Sequence, residues 1–173
     1  MNEIAIRPER PADFRAIGQL VAAAFGGQAE SRLVEALRDQ GYSRVALVAE
    51  TATPSSAQVA GYILLSDLRI ETATGTLPAL ALAPLAVTPT RQRQGIGSRL
   101  VRESLRGAGG EGHRIVIVLG HPQYYPKFGF RAELARPLAS PYAGESFMAL
   151  ELVPGALDGV IGEVCYPPPF SEL

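Results

Sequence analysis

Cysteine is nearly absent from this chain: Cys165 is the only one in 173 residues. No disulfide can close within the chain, and a cytoplasmic location is the expectation. Cys165 has no histidine near it in sequence and reads as a buried or half-buried strand residue, not a nucleophile. Excess charge of either sign is missing too. The 16 Lys and Arg balance 17 Asp and Glu to a formal net charge of −1, which argues against the basic footprint of a nucleic-acid binder. The longest apolar run, around Leu77 to Val87, is too short to span a bilayer as a helix. The opening Met1-Asn2-Glu3-Ile4 lacks the basic and apolar stretches of a signal peptide. No nucleic-acid or membrane partner is therefore expected. No Cys/His spacing suggests a metal, and there is no Gly-x-Ser-x-Gly elbow.

What is present is ordinary for a globular chain: 47% hydrophobic and 19% charged residues, enough for one domain over residues 1–173. Ile4-Ala5-Ile6 reads as a first strand. From Pro11 the positions Ile17, Leu20, Val21, Ala24 and Phe25 repeat at helical spacing, and Gly26-Gly27 stops them. A second helix covers Glu30 to Asp39, with Leu33, Val34 and Leu37 inward. The period then changes, and Arg44 to Glu50, Val59 to Ser66 and Leu80 to Val87 read as strands. Thr51 to Gln58 is expected as a mobile hairpin loop and Thr72 to Thr76 as a turn. A helix from Ile96 to Arg106, stopped at Gly107, is followed by a strand over Arg114 to Leu119. Phe147 to Leu152 and Val160 to Tyr166 are expected to close the set as an antiparallel pair. Pro84 cannot donate to a sheet ladder, so it belongs at an edge or a bulge.

One segment carries chemistry. Gln92-Arg93-Gln94-Gly95-Ile96-Gly97 ends a strand and opens a helix. The first N–H groups of a helix lack intrahelical acceptors and favour an anion, and glycines let the main chain approach a phosphate closely. A P-loop would need Gly-x-x-x-x-Gly-Lys-Ser/Thr, which does not occur. A dinucleotide turn would need a third glycine where Leu100 stands, and a carboxylate after the next strand, which ends instead in Gly120-His121-Pro122.

The remaining pattern, Gln92-x-x-Gly95-x-Gly97, resembles the pyrophosphate loop of the GCN5-related N-acetyltransferase family. Leu85-Ala86-Val87-Thr88-Pro89 resembles that family's fourth strand and its exit. Tyr124-Tyr125-Pro126-Lys127-Phe128-Gly129-Phe130 resembles its Tyr-x-x-x-Gly-Phe segment, and Ile6 to Asp13 its first strand and helix start. The likeness runs over residues 3 to 150, and Leu119-Gly120-His121-Pro122 is shared with small bacterial members of unassigned substrate. It implies an α/β fold with a mixed central sheet of about six or seven strands, flanking helices, and a fourth strand splayed from the fifth. It implies acetyl-coenzyme A as co-substrate, without a metal, and direct transfer to a primary amine on a small molecule or peptide. The alternative on the same fold is an acyl-coenzyme A binding module without turnover.

By that resemblance, Gln92, Arg93, Gln94, Gly95, Ile96, Gly97 and Ser98 seat the diphosphate. The backbone of Leu85, Ala86 and Val87 holds the pantetheine arm and supplies an oxyanion donor, and Tyr124 and Phe128 line the cofactor. Arg91 and Arg93 border the phosphates, while Arg99, Arg102 and Arg106 read as a solvated helix face. Tyr125 stands where the family's general acid stands, and a phenol near pKa 10 is protonated at neutral pH. The base stays open. The fourth-strand carboxylate of some members is missing between Leu80 and Val87, leaving a water chain, His121 as a tentative base, or the weaker Asp67 and Glu71. The acceptor is expected against the first two helices and the loops Ser66 to Gly75 and Ala135 to Ser146. A monomer and a homodimer are both compatible with the sequence.

Overall fold

The computed structural model describes residues 3–52 and 56–173. Strand β1 (Glu3–Pro8) leads through a short turn of 3-10 helix into α1 (Phe14–Phe25) and α2 (Ala29–Asp39). The hairpin-linked strands β2 (Ser43–Ala52), β3 (Ala57–Thr72) and β4 (Gly75–Val87) follow, then α3 (Ile96–Gly110) and β5 (Ile115–Leu119). A short helix α4 (Ala132–Ala135), β6 (Leu138–Ala139), β7 (Phe147–Glu151) and β8 (Gly162–Cys165) complete the chain. The sheet runs β1-β2-β3-β4-β5-β7, with β8 pairing to β3 and to β6. The pairs β4/β5 and β6/β8 are parallel, and the others antiparallel.

The central strands are apolar on both faces because both faces are covered. Tyr62 and Leu64 of β3 pack with Ile17, Leu20 and Val21 of α1 and Leu33, Val34 and Leu37 of α2. Their neighbours Ile63 and Leu65 pack on the other face with Ile96, Leu100 and Val101 of α3. The two-residue alternation is repeated in β5, where Ile115 and Ile117 face one cluster and Val116 and Val118 the other. Cys165 is half-buried at the end of β8, as its sequence context suggests.

Several expectations are corrected. Phe147 to Leu152 and Val160 to Tyr166 do not pair with each other: β7 pairs with β5, and β8 with Arg69–Thr72 of β3. The reason is the length of β3. Its pairing with β2 ends at Ser66, so the rest of that edge is left for β8. Ser66 to Gly75 is accordingly not a loop but the end of a long β3/β4 hairpin, with Leu68 and Ile70 in the core. The β2/β3 hairpin is also tighter than expected, with Thr51 opposite Gln58 and Ala52 opposite Ala57; the expected mobility of its tip falls on residues 53–55, outside those described. Helix α3 runs through Gly107 to Gly110, because the fully buried Ala108 packs its last turn onto the core.

A half-buried ionic frame fixes the start of α1 against the sheet. Arg7 of β1 holds Asp13 through Nη1 at 2.8 Å and Nη2 at 2.9 Å, and also bonds Glu50 of β2. Asp13 accepts the Arg10 backbone N–H at 2.7 Å as well. Similarly, Arg38 of α2 pairs with Glu9 at 2.8 Å, and the buried Tyr62 hydroxyl donates to the same carboxylate at 3.4 Å. The Arg7 hydrogen bonds, aided by that backbone N–H, hold the Asp13 carboxyl below its ordinary 3.8. A carboxyl held low contributes stability that is complete above its unfolded pKa and is lost as pH falls through the folded value. Asp13→Asn is therefore expected to cost about 2–4 kcal/mol in urea unfolding at pH 7. The gap from the parent should narrow below the ordinary 3.8; a gap indifferent to acid would contradict the assignment.

Candidate active site

The site begins with a parting of strands. Parallel pairing of β4 with β5 covers Leu80, Ala81 and Leu82 against Val116, Ile117 and Val118, and then stops. On the other edge of β4, Ile63 faces Leu85 while Leu65 faces Leu82, so Ala83 and Pro84 together oppose Leu64. This is the bulge that Pro84 suggested. Beyond it, Leu85 to Val87 still pair with β3 but have no strand partner on the β5 side. Two cavities open on either side of the gap, and they share Leu85, His121 and Tyr125.

The first cavity, about 630 Å³, lies over the start of α3. Gly95 precedes the helix with φ 85°, a left-handed conformation that glycine adopts without Cβ strain, and Arg93 shares that region at φ 63°. The N–H groups of Ile96, Gly97 and Ser98 have no acceptor within the helix, whose first bond is Arg99 N–H to Gly95. A Cβ on Gly97 would come 3.1 Å from the Tyr124 hydroxyl, so the glycine keeps this floor open. Arg91, Arg93 and Lys127 line the cavity, and no carboxylate does. Three cations facing free N–H groups suit a diphosphate.

Not every expected cofactor residue stands at this wall. Gln92 lines it, but its side-chain amide donates to the Val87 carbonyl at 3.2 Å and so ties the loop to the end of β4. Gln94 and Phe128 line neither cavity. Phe128 instead packs edge-on to Tyr124, with ring centroids 5.3 Å apart, and supports it from behind. The Ala86 side chain is buried in the core, and Ala86 lines neither cavity. Tyr124 does line the cavity, and its hydroxyl lies 3.3 Å from that of Ser98.

The second cavity, about 550 Å³, lies across the gap. Phe25, Glu30 and Leu33 come from α1 and α2, Tyr142 from the segment before β7, and Tyr166 and Phe170 from the C-terminal segment. Of the expected acceptor loops, Ala135 to Ser146 contributes through Tyr142, while Ser66 to Gly75 does not line it.

Tyr125 stands between the two. It is 8% exposed, and its ring packs against Phe130 at 5.6 Å. Its hydroxyl makes no hydrogen bond among the described residues, yet it is not a sealed atom, so it opens to a cavity. Burial, reinforced by Tyr124, raises its pKa above the ordinary 10.0. The ring is seated on Gly120, where an added Cβ would fall 2.3 Å from Tyr125 Cε2. His121 is exposed and borders both cavities, and its carbonyl accepts the N–H groups of Tyr124 and Tyr125 at 3.0 and 3.3 Å. Asp67 and Glu71 line neither: Asp67 pairs with Arg44, and Glu71 bonds Thr76. Sequence reasoning missed Lys127 and Glu30. Lys127 lies inside the quoted aromatic segment, with Nζ 4.2 Å from the Tyr124 ring centroid, and a cation beside that tyrosine was the available signal. Glu30 had none, since the cavity it lines joins segments far apart in sequence.

Comparison with known proteins agrees with this geometry. A family profile described as an acetyltransferase (GNAT) domain matches residues 5–132. The uncharacterized N-acetyltransferase YhbS of Escherichia coli K12 is 34% identical over 170 residues, covering 97% of this chain and 99% of that protein. The crystal structure of Escherichia coli YhbS in complex with CoA superposes with TM-score 0.88 at 32% identity, over 99% of this chain and 93% of that one. A GNAT acetyltransferase of Brucella melitensis in complex with acetyl-CoA gives 0.81 at 34% identity, over 98% of this chain and 99% of that one. The chain belongs to the GCN5-related N-acetyltransferase (GNAT) family.

Proposed function

We propose that this chain, acting as one domain, transfers the acetyl group of acetyl-coenzyme A directly to a primary amine, with Tyr125 as proton donor to the departing sulfur. The observation that carries the reading is the meeting of two differently lined cavities at Tyr125, where β4 and β5 part. Relatives crystallised with CoA and acetyl-CoA support the choice of donor.

The start of α3 with Arg91, Arg93 and Lys127 receives the diphosphate. The free edge of Leu85 to Val87 receives the pantetheine arm as an added strand would. An N–H on that edge stabilises the carbonyl oxygen as it gains charge. The amine nitrogen bonds to the acetyl carbon while the carbon–sulfur bond breaks. Before it attacks, the ammonium gives up a proton, to His121 or through water; after attack the nitrogen sheds a second by the same route, the sulfur takes one from the Tyr125 hydroxyl, and the tyrosinate recovers its proton from water. Raised above 10.0, that hydroxyl stays protonated throughout the neutral range and serves as a donor, never as the base. The chemistry calls for no metal. Among the described residues no helix is long and apolar enough to cross a membrane, and with Cys165 the only cysteine we place the protein in the cytoplasm.

Tyr125→Phe is expected to lower kcat about 10²-fold, read by thiol release, with calorimetric affinity for acetyl-coenzyme A unchanged. Equal turnover by the two proteins would remove Tyr125 from the chemistry. Since burial raises the Tyr125 pKa, the parent should show no alkaline loss of kcat below its ordinary 10.0; a loss near pH 8 would contradict the donor role. Gly120→Ala forces the Tyr125 ring to move and should lower kcat while costing about 1–3 kcal/mol of stability. Unchanged kcat in that variant would show that the ring's seat does not matter.

A further inference from the structure

Resting on that reading, we infer that the acceptor is a primary amine carried on an apolar, aromatic-sized body, with Glu30 pairing with its ammonium. The two cavities divide the charge between them. The one over α3 holds three cationic side chains and no carboxylate side chain, whereas the one across the gap holds Glu30 as its single carboxylate side chain and neither Lys nor Arg. A phosphorylated or carboxylate-bearing acceptor would find no cation there. A polycationic one would find one partner for several charges, each leaving water at a cost.

The rest of the wall is apolar. Six large hydrophobic side chains are exposed among the described residues, and Phe25 (46%), Leu119 (48%), Tyr142 (40%) and Leu173 (59%) all border this one cavity. Exposed apolar side chains gathered around one mouth mark a binding surface. Tyr142 and Tyr166 meet edge-on with centroids 5.6 Å apart, and Tyr166 and Phe170 meet at a 50° tilt with centroids 5.0 Å apart, which makes a continuous aromatic wall. Such a wall attracts both an apolar body and a cation passing over its faces.

Glu30 is free to take the charge. It sits half-buried in the first turn of α2 and makes no hydrogen bond or ion pair among the described residues. Glu9, Asp13, Glu50 and Asp67 are by contrast all engaged by arginines. The cavity is also continuous with the reaction site, because it reaches Tyr125 and His121. An ammonium paired with Glu30 is thus captured in the chamber where it must lose a proton and attack.

The test compares 2-phenylethylamine with spermidine, kanamycin and O-phosphoethanolamine as acceptors by thiol release, after calorimetry has verified acetyl-coenzyme A binding. The arylalkylamine should have the highest kcat/KM, by about tenfold or more. Glu30→Gln should raise its KM about tenfold or more with little change in acetyl-coenzyme A affinity, and Glu30→Asp should recover part of the loss. The same ranking should appear, independent of turnover, in titrations of the amines into the protein saturated with CoA. A preference for the polycations or the phosphorylated amine, or a KM indifferent to Glu30→Gln, overturns the inference and leaves the acetyl donor assignment standing. Failure to bind acetyl-coenzyme A overturns both.

Discussion

The site depends on a hydrogen-bond ladder that ends early. Three residue pairs hold β4 to β5, and then a bulge containing a proline without an N–H interrupts the strand. Had the ladder continued, Leu85 to Val87 would spend their backbone groups on β5, and the two cavities would be separated by a closed sheet. With the ladder ended, that edge of β4 has no strand partner beyond Leu82, and the aromatic segment after Gly120 can lay Tyr125 between the cavities. On the proposed reading, function rests on leaving one edge of a buried sheet without a strand partner.

The surrounding structure keeps that gap from closing or spreading. Both faces of the sheet are packed, with α1 and α2 on one side and α3 on the other. The Arg7–Asp13–Glu50 and Glu9–Arg38 contacts pin the two helices near β1, so that their far ends bring Phe25, Glu30 and Leu33 to the second cavity. The bulge thus decides where the chain can react, while the ionic frame holds the helices that form part of one wall. Charge follows the same division, with cationic side chains over the start of α3 and a lone carboxylate side chain across the gap.

How much of this was legible in the sequence follows from the range of the signals. The start of α3, the loop before it and the bulge at Pro84 are local, written in glycine spacing and in proline chemistry, and they were readable as such. Tyr125 was readable through its place before Gly129-Phe130. The partner of β7 and the length of β3 were not, because a strand's period reports its faces and not its neighbours. Gly107 misled, since a glycine ends a helix only when packing allows it, and Ala108 carries the helix onward. The second cavity was the least legible. Its wall joins α1, α2, the segment before β7 and the C-terminal residues, and no linear pattern connects Glu30 to Tyr166 or Phe170.

The most direct measurement of the central claim is a crystal structure of this protein with CoA. The account expects the diphosphate on the N–H groups of Ile96 to Ser98, the pantetheine along the free edge of Leu85 to Val87, and the sulfur in the gap beside the Tyr125 hydroxyl. A diphosphate seated elsewhere, or a sulfur outside the gap between β4 and β5, would contradict it.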